Sequence, residues 1–73
     1  MTEIEMIPVS SSNVESIGYD ETTQTLRIRF LNGSEYEYKN VPIVEFDALK
    51  NAPSVGSYLN HNIKNAYPFE KIG

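Results

Sequence analysis

The chain contains no cysteine. This excludes a disulfide framework and any thiolate metal site, so no covalent staple can compensate for a small core. It also suits a reducing cytoplasm, which is the expected location. No apolar run approaches the ~20 residues that span a bilayer. The opening MTEIEMIPV is too acidic and too short for a secretory signal, so no membrane partner is expected. Cations are scarce: six Lys and Arg face ten Asp and Glu, for a net charge of −4. Phosphate binding normally needs a basic surface, so any nucleic-acid contact must come from a local stripe. There is a single histidine, no acid pair at a recognised spacing and no Gly-rich phosphate loop. Ser57 and His61 are four apart on an expected helix. A serine–histidine pair without an orienting acid and an oxyanion hole is a poor catalyst. Glu35 and Glu37 alone fall far short of a cation site. The chain therefore reads as non-enzymatic, with no cofactor and no metal.

What remains is one small domain. A chain of 73 residues exposes roughly 4,600 Å² when folded and buries only about 60% of its unfolded surface. Its core must be thin: one sheet against one layer of helix. No repeat, linker or low-complexity tract is visible. Residues 1–9 read as an N-terminal arm, loose or pairing at an edge, and residues 10–73 as the domain.

Three stretches alternate with the period of a strand. VESIGYD (Val14 to Asp20) puts Ile17 and Tyr19 on one face. TLRIRFL (Thr25 to Leu31) alternates Leu26, Ile28 and Phe30 with Arg27 and Arg29, the pattern of a half-buried antiparallel strand. SEYEYKNV (Ser34 to Val41) alternates as well. The turn between the last two decides what their faces carry. A two-residue Asn32-Gly33 loop would set Glu35 and Glu37 beside Phe30 and Ile28, and burying unpaired carboxylates costs several kcal/mol. A three-residue loop, Leu31-Asn32-Gly33, reverses the parity, with Gly33 left-handed at a G1 bulge. Ile28 then faces Tyr36 and Leu26 faces Tyr38. The tyrosines belong to the core side, with their hydroxyls bonded at the sheet margin. Arg27, Arg29, Glu35, Glu37 and Lys39 share the outer face.

Two helices follow. Pro42 suits a first turn, with Asn40 or Val41 at the cap. Ile43, Phe46 and Leu49 recur at helical spacing, and Pro53 stops the run. Ser54 is placed to cap a second helix, VGSYLNHNIKNA, whose apolar stripe is Val55, Leu59, Ile63 and Ala66. Phe69 and Ile72 are available to close the core. The expected fold is α+β: a three-stranded antiparallel β-meander followed by two helices packed on one sheet face.

These residues resemble a known family. SSNVESIGYD, TLRIRF, the central YEY (Tyr36, Glu37, Tyr38) and VP (Val41, Pro42) are followed by Ala52, Pro53, Ser54, Gly56, Tyr58, Asn60, Ile63 and a closing YPF. Their order and spacing, from Ser11 to about Ile72, are similar to the KTSC domain. That module is found at the C-terminus of some lysyl-tRNA synthetases and as small bacterial and phage proteins. The resemblance implies a β-meander followed by helices, a suggested role in RNA binding and no enzymatic activity.

Two surfaces are candidate sites. The first is Ser54, Gly56, Ser57, Tyr58, Asn60, His61 and Lys64. A helix opening at Ser54 presents free N–H groups to an anion, and His61 and Lys64 lie three apart on one side. Gly56 and three asparagines are poor helix formers, so stability alone would not select them. The plainer reading is an ordinary capped helix whose Gly packs closely on the sheet. The second surface is Arg27, Arg29 and Lys39 on the outer sheet face, where sheets of other RNA binders contact phosphates; interleaved glutamates favour a merely solvated face. Three functions follow: an RNA-associated module with a tRNA-like target; a protein-interaction adaptor of phage type, monomeric or a homodimer through a sheet edge; or a binder of a small anionic ligand at Ser54.

Overall fold

Between Phe30 and Ser34 the chain reverses in a tight turn. The Gly33 N–H bonds the Phe30 carbonyl at 3.0 Å, and the Phe30 N–H bonds the Ser34 carbonyl at 2.8 Å. Gly33 has φ of +92°, a conformation open to glycine at little cost. The result, in a computed structural model describing residues 4–73, is the bulged three-residue turn. It pairs Leu26 with Tyr38, Arg27 with Glu37, Ile28 with Tyr36 and Arg29 with Glu35. A slip of one residue would have exchanged the two faces.

The sheet has five antiparallel strands in sequential order, not three: β1 (Met6–Pro8), β2 (Val14–Asp20), β3 (Thr25–Phe30), β4 (Glu35–Tyr38) and β5 (Phe69–Lys71). This corrects the expected three-stranded meander. The two added strands are three residues each, too short for alternation to reveal them. They form because β2 and β4 leave open edges whose backbone groups take partners. Part of the N-terminal arm becomes β1, pairing Met6 with Gly18 and Pro8 with Ser16; residues 1–3 of that arm lie outside the described residues. Gly18 permits the close approach, since a Cβ there would sit 2.6 Å from Ile4 Cγ2 and 2.7 Å from the Glu5 carbonyl oxygen.

Between β4 and β5 run the helices. α1 (Ile43–Lys50) begins after Pro42, which is itself the cap in place of Asn40 or Val41. Val41 is fully buried instead. Its N–H bonds the Gln24 carbonyl at 2.9 Å, and its carbonyl accepts the Tyr19 hydroxyl. α2 (Val55–Tyr58) is capped by Ser54, whose side chain accepts the Ser57 N–H at 3.3 Å. It widens at once into a π-helical stretch over Leu59–Ile63, where the Lys64 N–H reaches the Leu59 carbonyl five residues back. Val55, Leu59 and Ile63 are buried as their spacing suggests, but Ala66 lies past the helical stretch and is exposed.

α1 packs on β2 and on α2, and its Phe46 ring stacks on Tyr19 at 5.1 Å. The core is Val14, Ile17, Leu26, Ile28, Tyr38, Val41, Phe46, Leu49, Val55, Leu59 and Ile63. Three residues expected in the core are largely outside it: Ile43, Phe69 and Ile72 are 45%, 54% and 41% exposed. The helices are too short to cover a five-stranded sheet, so the inner surface of β4 and β5 stays partly open.

Candidate functional site

That open surface is a groove of about 250 Å³ lined by Phe30, Asn32, Ser34, Tyr36, Tyr38, Lys64 and Phe69. Four rings converge there. Phe30 meets Tyr36 edge to face at 5.7 Å, and Phe69 lies tilted 5.8 Å from Tyr36 and 5.6 Å from Tyr38. Tyr38 is 2% exposed, while Tyr36 is half-buried. Among the described residues neither hydroxyl has a protein hydrogen-bond partner, contrary to the expectation of one at the sheet margin. Burial pushes the Tyr38 phenol above its ordinary value, with Tyr36 adding to the effect, so it stays a neutral donor at neutral pH.

Strand parity also assigns the charges. On the outer face Arg27 reaches Glu37 at 2.6 Å, Arg29 reaches Glu35 at 3.0 Å and Glu15 at 3.8 Å, and Lys39 reaches Glu37 at 2.9 Å. Arg27 above all, with Lys39, holds the Glu37 carboxyl below the usual carboxylate range. On α1, Lys50 pairs with Asp47 at 3.5 Å. The second predicted surface is thus a neutralised network. Among the described residues, Lys64 and Lys71 have no carboxylate partner. Lys64 lines the groove. Lys71 pairs with Tyr36 across β5 and β4, and directly opposed residues project from the same face.

The first predicted surface is divided. Ser54, Ser57, Tyr58 and His61 line a shallow hollow with Ala52, Pro53 and Asn62. There Ser57 Oγ lies 3.3 Å from His61 Nδ1, and the Ser57 carbonyl lies 2.8 Å from the same nitrogen. Lys64 belongs to the aromatic groove instead, because the π turn places it beyond the face that His61 occupies. Gly56 is buried against the loop before β2, where a Cβ would collide with Asn13 Oδ1; its close contact is with that loop. Asn60 is exposed and lines neither hollow. Tyr58 donates to Glu45, whose other oxygen accepts Tyr67 at 2.9 Å. The Glu45 hydrogen bond, first among the causes, raises the Tyr58 pKa; burial leads the rise at Tyr67. Tyr58 therefore ties the two helices together. The α-helical run at Ser54 is four residues long, which aligns few peptide dipoles for an anion.

Phe30, Asn32, Ser34, Tyr36, Tyr38, Phe69 and Lys71 were not among the predicted site residues, and the two tyrosines were expected in the core. Their signal is parity: Phe69 and Lys71 alternate around Glu70, and Phe30 continues the inner face of Leu26 and Ile28. Nothing local says that the helices stop short of them.

Sheet, helices and half-open groove define a small α+β domain. The chain belongs to the KTSC domain family, whose model matches residues 10–67, and it is a non-enzymatic module of that family. It resembles the crystal structure of a KTSC domain protein from Yersinia pestis, with a TM-score of 0.91 and 36% identity, covering 97% of this chain and 100% of that one. A protein from Tsukamurella paurometabola is 44% identical over 81% of this chain and 88% of its own length. Lysine–tRNA ligases of Trichormus variabilis and Nostoc punctiforme are 37% and 39% identical over 92% of this chain. The chain spans 12% of the length of those ligases. No helix among the described residues is long and apolar enough to cross a membrane.

Proposed function

We propose that the chain is a binding module that associates with RNA through the inner surface of β4 and β5. One observation carries this reading. Four of the six cations are neutralised by neighbouring carboxylates; of the two without such partners among the described residues, Lys64 lines the groove of four aromatic rings and Lys71 stands opposite Tyr36 on the same sheet face. A chain of net charge −4 repels polyanions in general. Local contact then depends on those two ammonium groups and on stacking, which adds affinity without further charge. Relatives named lysine–tRNA ligase contain a matching segment, which favours an RNA partner and a cytoplasmic setting. A filter-binding titration with tRNA and with single-stranded RNA tests the reading. Binding should weaken with salt at a log–log slope of about −1.4, as two phosphate contacts on a single strand imply. No retention of either RNA at low salt would refute it.

A second reading, docking of a partner protein, has its own support. Ile7, Tyr19, Ile43 and Phe46 line a separate shallow hollow between β1 and α1, and Ile7 and Ile43 are substantially exposed. Pro8 on one edge strand and the three-residue length of the other oppose edge pairing, so a face suits a partner or second copy better than an edge. Pull-down from cytoplasmic lysate, with and without nuclease, separates the readings: a protein retained after nuclease treatment favours the second.

A further inference from the structure

We propose that the groove receives a single unpaired base of the RNA strand and that β5 is the element completing it. The inference rests on the RNA reading above and names which part of the nucleic acid is held.

The volume sets the first limit. About 250 Å³ lies below the roughly 300–1,000 Å³ of drug-sized ligand sites, a size matched to one flat ring system. The lining sets the second. The three ring contacts inside it are edge-to-face or tilted, at 87°, 55° and 40°, whereas the Tyr19–Phe46 pair is stacked at 14°. The groove rings therefore do not cover one another's faces. Phe69, 54% exposed, has the most surface available for a base to stack on.

Polar groups set the third limit. Tyr38 is 2% exposed, yet it lines the groove and its hydroxyl lacks a protein partner among the described residues. That hydroxyl is not sealed from solvent, so it is free to donate to water or to a base edge. Asn32 Oδ1 is already held by the Ser34 N–H at 3.0 Å, which leaves the Asn32 amide nitrogen for a base edge. Lys64 lines the groove, and Lys71, outside the lining, stands opposite Tyr36 on the same sheet face; the two ammonium groups are placed to meet phosphates flanking an inserted nucleotide. A base within a duplex reaches such a groove only by leaving its stack, at a cost of a few kcal/mol. The site therefore selects unpaired strands.

Phe69 and Lys71 both come from β5, beyond the matched family residues 10–67. That strand is anchored through backbone bonds from the Lys39 N–H to the Pro68 carbonyl at 2.8 Å and from the Ile72 N–H to the Glu35 carbonyl at 2.8 Å. These bonds do not use the Phe69 side chain, so its ring can be removed while the strand stays paired.

The test is a fluorescence-anisotropy titration of the full chain with a labelled single-stranded RNA, and with the same strand annealed into a blunt duplex. The single strand should bind at least about tenfold tighter than the duplex, given the cost of unstacking. Phe69→Ala should weaken single-strand binding by about 5- to 150-fold, the range for one stacked base. Lys71→Gln should lower the magnitude of the salt slope by about 0.7. Arg29→Gln, on the neutralised outer face, should bind as the parent does, and the urea midpoint of each variant verifies folding. Should Phe69→Ala destabilise the chain, Lys71→Gln still decides the matter. If RNA binds but both groove variants bind normally, or if duplex binds equally well, the groove inference is overturned while RNA association stands. If no RNA binds, or an acidic peptide binds in its place, both readings fall.

Discussion

Replacing Gly33 by alanine isolates the turn on which the arrangement of both sheet faces depends. Gly33 has φ of +92°, and a Cβ built there would meet nothing within 4 Å. No clash enters the cost, which is wholly backbone. Holding an L-residue in the left-handed region costs roughly 1–2 kcal/mol. A domain of 73 residues has about 4–11 kcal/mol of stability in all, so the loss is measurable but not fatal. Each kcal/mol corresponds to about 4–8 °C at this size, and the midpoint should fall by about 4–16 °C. Chirality supplies the control. D-alanine has the mirror-image preference, so a semisynthetic chain with D-Ala at position 33 should match or exceed the parent. Its unfolded state loses freedom while its folded state is unstrained, a gain of about 0.4–1 kcal/mol. Thermal unfolding followed by far-ultraviolet circular dichroism reads both variants. Equal midpoints for the L- and D-alanine chains would refute the left-handed turn, and with it the register that turns Tyr36 and Tyr38 inward.

Tyr38→Ala should cost about 3–5 kcal/mol in urea unfolding, the range for a buried aromatic, because the ring is 2% exposed. Tyr38→Phe should leave stability nearly unchanged, since the hydroxyl has no protein partner among the described residues; a loss below about 1 kcal/mol in the alanine variant would contradict the core assignment. Glu37 is held below its ordinary pKa by Arg27 and Lys39. Its contribution is therefore present above the usual carboxylate range. It shrinks as pH falls, first as the unfolded chain protonates and then fully as the folded carboxyl does. Glu37→Gln should flatten the acid limb of the urea midpoint against pH, and superimposable acid limbs would show that the pairing contributes nothing.

Hairpin parity was legible in the sequence because a two-residue turn would turn Glu35 and Glu37 into the core, and burying carboxylates is too costly to be optional. The Ser54 cap and the buried spacing of Val55, Leu59 and Ile63 were legible for a similar reason: helix starts and apolar stripes are local patterns. The edge strands were not. Met6–Pro8 and Phe69–Lys71 are three residues each, and their pairing is induced by the neighbours they meet. Nor was the division of the second-helix surface, because the π turn over Leu59–Ile63 moves Lys64 away from His61.

Alternation within β3 and β4 thus determined which of their side chains share a sheet face, since the pleat has a period of two, whereas the bulge between Val14 and Ser16 of β2 puts Val14 and Ile17, an odd number of residues apart, into the same core. Whether that shared face would be sealed or left open was decided only when the helices docked. α1 and α2 cover the sheet as far as their lengths reach, and the two strands beyond them bring Phe69 and Lys71 to a surface that has no local signature in the chain.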